Sequence, residues 1–232
     1  MAVKRRILIC GASRGLGLGL VRAFLDAGWR VLAVVRELRP ASPLDALRTR
    51  HPDDLLVIPC DLARLDAACT LEAALHGQRL DCALFNAGVY GPSHQDPRQA
   101  EVEDIGQLFL ANAVAPIRLA QQLSEHVLEG GVIAFMSSQM ASLELARAAE
   151  MPLYGASKAA LNSLLRSWQA QLPQLPWSLL ALHPGWVRTD MGGDAAPLSV
   201  EQSANGLREV ITRQLGQRQC AFIDYQGQTL PW

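Results

Sequence analysis

Several signatures are missing from this 232-residue chain. Its five cysteines (Cys10, Cys60, Cys69, Cys82 and Cys220) are odd in number and form neither a C-x-x-C pair nor a zinc spacing. A complete disulfide framework is therefore excluded, and buried reduced thiols in a cytoplasmic protein are the expectation. The five histidines include no H-E-x-x-H, so no metal site is expected. With 21 basic against 22 acidic residues the net charge is −1, which offers no electrostatic case for nucleic acid or an anionic membrane surface. Lys4-Arg5-Arg6 precedes an apolar run, but Gly11, Ser13 and Arg14 break that run after four residues, too soon for a signal-peptide core. No stretch approaches the roughly 18 uninterrupted apolar residues of a membrane-spanning helix. Internal repeats, low-complexity tracts and interdomain linkers are also lacking.

What remains is a chain with 50% hydrophobic and 19% charged residues, long enough for one sizeable core, and residues 1–232 read as one domain. Short apolar runs alternate with helical patterns. Strands are expected at 7–10, 30–36, 55–58, 81–85, 132–136, 178–182 and 220–223. Helices are expected between them at about 16–27, 63–75, 102–128, 154–172 and 199–215, the last opened by a Ser199-Val200-Glu201-Gln202 capping box, and a short one ending at about Arg50 follows the basic connection that holds Arg39, Pro40 and Pro43. Alternation of this kind requires parallel pairing with right-handed crossovers. The predicted fold class is α/β, a Rossmann-like doubly wound parallel sheet with helices on both faces. Its ligand should lie along the carboxyl ends of the strands.

The first such end is the most telling. Ile7-Leu8-Ile9-Cys10 runs directly into Gly11-Ala12-Ser13-Arg14-Gly15-Leu16-Gly17, and Leu16, Leu20, Phe24 and Ala27 then recur at helical spacing. Strand, glycine turn and helix together aim backbone N–H groups and a helix N-terminus at a phosphate. The spacing is G-x-x-x-G-x-G rather than G-x-G-x-x-G, so the turn alone does not separate nucleotide binding from an ordinary connection. Later strand ends add Arg36, Asp61, Asn86-Ala87-Gly88, Ser137-Ser138 and Pro184-Gly185. A second centre is Tyr154-Gly155-Ala156-Ser157-Lys158. At i and i+4 the phenol and the ammonium share one helix face, where the cation favours the phenolate.

Taken together, these residues resemble the short-chain dehydrogenase/reductase family over almost the whole chain: the glycine turn at 11–17, the Asn-Ala-Gly triplet at 86–88, Asn112, Ser138, Tyr154 with Lys158, and Pro184-Gly185. Within it, His183-Pro184-Gly185-Trp186-Val187-Arg188-Thr189-Asp190-Met191-Gly192-Gly193 and Leu230-Pro231-Trp232 are most similar to C-factor/sniffer-like carbonyl reductases. The resemblance implies an oxidoreductase interconverting a small-molecule carbonyl and alcohol. Tyr154 would be its general acid/base. Lys158 would lower the phenol pKa and hold the nicotinamide ribose. Ser138 would bind the substrate oxygen, with Ser137 and Ser142 as rivals. Asn112 would anchor a proton-relay water. Pro116, four residues on, lacks the N–H that would bond the Asn112 carbonyl, so a kink is expected there.

Cofactor contacts would come from Gly11, Ser13, Arg14, Gly15, Leu16, Gly17, Asn86, Ala87, Gly88, Tyr154, Lys158, Pro184, Gly185 and Val187. By the same resemblance Asp61 and Leu62 would flank the adenine, and Thr189 the carboxamide. Arg36 ends the second strand where an acidic residue would favour NAD(H). Arginine there, with Arg14 as a second cation, suits a 2′-phosphate. NADP(H) is thus the expected cofactor, with Glu37 keeping NAD(H) as the second choice. Cys10 and Phe85 depart from the family's threonine and asparagine, beside backbone contacts they do not supply. The separation from Ser138 to Tyr154 is longer than usual, which makes Gln139–Leu153 an insertion at the substrate mouth. His183 reads as structural, and the Leu161, Leu164, Leu165, Trp168 stripe as core or subunit interface. The family commonly forms homodimers or homotetramers through the helices following strands four and five. A cofactor-binding sensor without turnover is the rival reading, although it would have no need of Tyr154, Lys158, Ser138 and Asn112 together. An extended epimerase or dehydratase would want a longer region after Thr189.

Overall fold

The computed structural model describes residues 4–232. Seven strands form one parallel sheet: β1 (Arg6–Cys10), β2 (Arg30–Val35), β3 (Leu55–Pro59), β4 (Leu80–Phe85), β5 (Val127–Met136), β6 (Ser178–His183) and β7 (Cys220–Asp224), in spatial order β3-β2-β1-β4-β5-β6-β7. β1 is apolar at every position from Ile7 to Cys10 because helices cover both its faces, and all four of these residues are fully buried. It pairs with β2 on one side (Leu8 beside Leu32) and β4 on the other (Leu8 beside Ala83).

Helices α1 (Gly15–Asp26), α2 (Pro43–Arg50) and α7 (Val200–Arg213) cover one face, burying Leu20, Phe24, Leu47, Leu207 and Ile211 against the sheet. The other face carries α3 (Ala67–Leu75), α5 (Ala115–Leu123) and α6 (Pro152–Gln171), with Leu71, Ile117, Leu165 and Trp168 in its core. The sequence stripe on α6 therefore reads in two ways: Leu161, Leu165 and Trp168 are core, whereas Leu164 is 36% exposed. Successive crossovers change face between β1 and β4, which leaves a crevice at their carboxyl ends.

Two boundaries differ from the sequence expectation. The helical pattern read through Leu128 stops earlier: α4 (Val102–Phe109) passes through a π-helical turn at Leu110–Val114 into α5, a 3₁₀ turn follows at 124–126, and Val127 already pairs with Leu80 as the start of β5. Two glycines, Gly130 and Gly131, interrupt the apolar run and concealed this strand. The helix expected from Ala63 starts at Ala67, because Asp61 first accepts the Ala63 N–H in a side-chain turn. The expected break near Pro116 is the π-turn, where the Ala115 N–H reaches back to the Leu110 carbonyl. Among the described residues no helix is long and apolar enough to cross a membrane, and no cluster of potential metal ligands occurs.

Candidate active site

The glycine turn sits in the crevice between β1 and β4. Gly11 and Ala12 both donate to the Val34 carbonyl, at 3.0 and 3.1 Å, and Asn86 Nδ2 donates to the Gly11 carbonyl at 2.9 Å. The Asn86 and Ala87 N–H groups reach the Cys10 carbonyl at 3.0 and 2.9 Å. Gly11 has φ +88°, and a Cβ there would stand 2.7 Å from the Ala87 backbone. A Cβ on Gly17 would overlap the Gly11 carbonyl oxygen. Only glycine allows α1 to start this close to the strand. Arg14, at the N-cap of α1, supplies no side-chain cap, and the first turn holds no acidic residue. The N–H groups of that turn accordingly face the crevice end uncompensated. Ser13 and Arg14 are exposed, and Arg14 forms an ion pair with Asp190 of the β6–α7 loop. Leu16 is half-buried.

Beyond β1, a cleft of 460 Å³ runs from Arg36 and Asp61 past Val89 and Tyr90 to Leu110 and Ala111. Arg36 is exposed at the end of β2 and has no ion-pair partner among the described residues. Leu62 is half-buried against the core cluster. The loop carrying Asp61 and Leu62 is tied down by Arg118 of α5, whose guanidinium donates to the Ala63 and Arg64 carbonyls at 2.9 and 3.0 Å.

The second centre forms where α6 passes the π-turn. Asn112 is fully buried; its Oδ1 accepts the Val89 N–H at 2.8 Å, and its Nδ2 donates to the Val89 carbonyl at 2.8 Å and to Ser157 Oγ at 3.0 Å. Ser157 donates in turn to the Tyr154 carbonyl at 2.7 Å. Lys158 is 3% exposed, and its ammonium donates to the Met136 carbonyl at 2.8 Å. A Cβ on Gly88 would lie 3.1 Å from Asn112 Oδ1 and 3.3 Å from Lys158 Nζ, so the Asn-Ala-Gly triplet, Asn112 and Lys158 converge on one spot. The Lys158 Nζ lies 5.8 Å from the Tyr154 ring centroid.

Electrostatically the pair departs from the sequence expectation. Burial, reinforced by the neighbouring Tyr90 phenol, pushes the Tyr154 hydroxyl up to about 12 rather than down. Burial also lowers Lys158 to about 8. In each case burial, which penalises the charged form, is the leading cause.

The three candidate serines differ in their bonds. Ser137 Oγ, 1% exposed, spends its proton on Asn162 Oδ1 at 2.8 Å. Ser142 Oγ donates to the Trp232 carbonyl at 3.4 Å and accepts the Leu145 N–H at 3.1 Å. Ser138 Oγ accepts the Met140 N–H at 3.2 Å and keeps its hydroxyl hydrogen for another partner. At the end of β6, the Pro184 carbonyl accepts from Ser203 Oγ at 2.6 Å, and Gly185 turns the chain with φ +79°. Val187 is buried and bridges to Leu198; the Thr189 hydroxyl accepts the Gly192 N–H at 3.1 Å, and a Cβ on Gly15 would lie 3.5 Å from the Thr189 methyl. His183 is half-buried with an unpartnered Nδ1, and burial lowers it to about 4 against the opposing pull of Asp224.

Three residues here went unread in the sequence: Ser157, Arg118 and Gln95. Gln95 is 5% exposed, and its Oε1 accepts the Tyr154 N–H at 2.9 Å. Ser157 lies inside the Tyr154–Lys158 spacing without a role of its own there, while Arg118 and Gln95 act on backbone atoms of segments distant in sequence.

Comparison with known proteins agrees with this geometry. The family profile described as short chain dehydrogenase matches residues 5–197. The C-signal protein of Myxococcus xanthus is 34% identical over 155 residues, covering 66% of this chain and 93% of that protein. The crystal structure of a carbonyl reductase from Pseudomonas aeruginosa PAO1 in complex with NADP superposes with a TM-score of 0.94 at 54% identity, covering 99% of this chain and all of that one (100%). The carbonyl reductase Sniffer of D. melanogaster gives a TM-score of 0.86 at 29% identity, covering 99% of this chain and 100% of that one. This chain belongs to the short-chain dehydrogenase/reductase family and is an oxidoreductase.

Proposed function

We propose that this protein is an NADPH-dependent carbonyl reductase, working in reverse as an alcohol dehydrogenase, with residues 1–232 acting as one domain. The observation that carries the reading is the convergence of Lys158, Asn112 and Gly88 beside the Tyr154 phenol at the sheet's switch point. The P. aeruginosa relative with NADP in its crystal structure supports the choice of cofactor.

The residues present fit such a cofactor. Gly11 and Gly17 let α1 start close against β1 and β4, and the uncapped start of α1 offers N–H donors that would suit a pyrophosphate. Arg36 and Arg14 supply the planar donors that suit a 2′-phosphate, provided that Arg14 exchanges Asp190 for the ligand. Asp61 and Leu62 would flank the adenine, and Thr189 the carboxamide, with Pro184, Gly185 and Val187 as further contacts. The reduced nicotinamide supplies the hydride.

Tyr154 gives its hydroxyl proton to the carbonyl oxygen as the hydride reaches carbon, leaving a phenolate and an alcohol. A phenol held near 12 is fully protonated at pH 7, so the acid is always ready for reduction. Ser138, with its hydrogen free, donates to the same oxygen. The Lys158 ammonium steadies the phenolate and would hold the ribose hydroxyls of the bound cofactor. Asn112 keeps its side chain on Val89 and Ser157, while Pro116 denies its carbonyl a helical N–H partner, which suits that carbonyl to a water returning the proton to Tyr154. The substrate is a small-molecule carbonyl; a homodimer or homotetramer through α4, α5 and α6 and a cytoplasmic setting complete the proposal, the latter supported by five free thiols.

The test is NADPH oxidation followed at 340 nm against a carbonyl panel, with Tyr154→Phe as control. The variant should lose about 10²- to 10⁴-fold in kcat while still binding NADPH. Tight NADPH binding with no Tyr154-dependent turnover on any carbonyl would instead assign the chain to cofactor sensing.

A further inference from the structure

Gln95 has a placement that the reading above does not use. It is buried at 5% exposure in a loop, in the left-handed region (φ +52°), and every polar group of its side chain is engaged. Its Nε2 donates to the Tyr90 carbonyl at 3.0 Å and to the Pro92 carbonyl at 2.9 Å, and its Oε1 accepts the Tyr154 N–H at 2.9 Å. That N–H belongs to the first turn of α6, whose N-cap Met151 offers no side-chain cap. One carboxamide thus caps α6 and staples the loop after β4 to the helix that carries the phenol. The same loop is seated from the far side, since a Cβ on Gly91 would stand 2.9 Å from Leu108 Cδ2.

The result is a fixed ring beside the phenol. Tyr90 and Tyr154 lie with centroids 6.1 Å apart and planes 25° from parallel. Tyr90 is 37% exposed and lines the open cleft. A carbonyl oxygen placed at the Tyr154 hydroxyl puts its substituents within reach of that ring. The loops that follow β5 and β6 at the same sheet edge also expose apolar side chains, Leu143, Trp186 and Met191.

We infer that Gln95 is a positioning residue that holds the Tyr90 ring alongside Tyr154, and that Tyr90 selects planar conjugated carbonyls over saturated ones by stacking. This rests on the carbonyl reductase reading and names its substrate class. Aromatic pairs of this kind are offset-stacked and add to simple apolar burial.

The experiment compares benzaldehyde with cyclohexanecarbaldehyde, of equal ring size, in the NADPH-loaded enzyme. Wild type should prefer benzaldehyde in kcat/KM. Tyr90→Leu should lower the benzaldehyde-to-cyclohexanecarbaldehyde ratio about 3- to 10-fold, mainly through KM, whereas Tyr90→Phe should keep it. Gln95→Leu should lower the ratio by a similar factor and reduce kcat for both aldehydes, because Tyr154 also loses its anchor. Equal losses for both aldehydes in Tyr90→Leu, or a Gln95→Leu variant that only melts earlier with the ratio intact, would overturn the inference. Should no carbonyl be turned over, the function proposal fails, and the inference is then read from binding of the unreactive benzamide and cyclohexanecarboxamide to the NADPH-loaded protein. A preference for benzamide that Tyr90→Leu abolishes and Tyr90→Phe retains supports the stacking ring; no preference overturns it.

Discussion

The Lys158 ammonium donates to the Met136 carbonyl at 2.8 Å, joining the middle of α6 to the carboxyl end of β5 in a pocket where the lysine is 3% exposed. Burial lowers this amine from 10.5 to about 8. Between those values the unfolded chain binds the extra proton, so this group's contribution to stability rises with pH across that window. At pH 7 the charged lysine costs the fold on the order of 3 kcal/mol. Lys158→Met should therefore melt no lower than wild type at pH 7, and higher by several degrees if the cost is fully relieved. The gap should shrink towards pH 10, while activity falls at least 100-fold. A variant melting clearly below wild type at pH 7 would show that the Met136 bond outweighs desolvation.

The same two shifts separate acid from cation in the pH profile. A phenol near 12 stays protonated well beyond pH 9, so it cannot produce a descending limb for carbonyl reduction in the neutral range. That limb should instead follow Lys158 and fall through about 8 in kcat/KM, which reports the free enzyme. Lys158→Arg, with a guanidinium that does not deprotonate, should retain low activity and move the limb above pH 10. A limb unmoved by this change would trace the decline to another group.

Gly17 and Gly106 make a matched pair. A Cβ on Gly17 would strike the Gly11 carbonyl and come within 2.8 Å of Asn86 Nδ2, whereas a Cβ on Gly106 in α4 meets nothing within 4 Å. Gly17→Ala should destabilise by about 1–3 kcal/mol and weaken NADPH binding more than tenfold, read by thermal melts and fluorescence titration. Gly106→Ala should stabilise by about 0.5–1 kcal/mol with cofactor affinity intact. Equal melting temperatures for the two would remove the close-approach argument.

Arg36 stands exposed and without an ion-pair partner among the described residues. Losing a charge-assisted pair of about 1.5–3 kcal/mol, Arg36→Ala should raise KM for NADPH about 10- to 100-fold. KM for NADH should change little, because the 2′-phosphate alone separates the two cofactors. A comparable rise for both would mean that Arg36 serves the adenosine generally, and Arg14 would become the phosphate's partner.

Much of this architecture was legible beforehand because it is local. Ile7–Cys10 announces a strand covered on both faces, and Gly11–Gly17 a turn into a helix. Tyr154 and Lys158 share a helix face by spacing alone, and Pro116 forecast the break that takes the form of a π-turn. The start of β5 was hidden, since Gly130 and Gly131 interrupt its apolar pattern and Val127 is held by pairing with Leu80.

What residue order determined is the parallel α/β frame, the family motifs and the chemical types at each strand end, all of which follow from spacing within a few residues. Tertiary structure alone decided the rest. Gln95 finds the Tyr154 N–H across 59 positions, Arg118 holds a loop 54 to 56 residues away, and burial raises the phenol whose pKa the neighbouring lysine was expected to lower. Those outcomes depend on desolvation and on contacts between distant segments, and neither exists until the chain has closed around them.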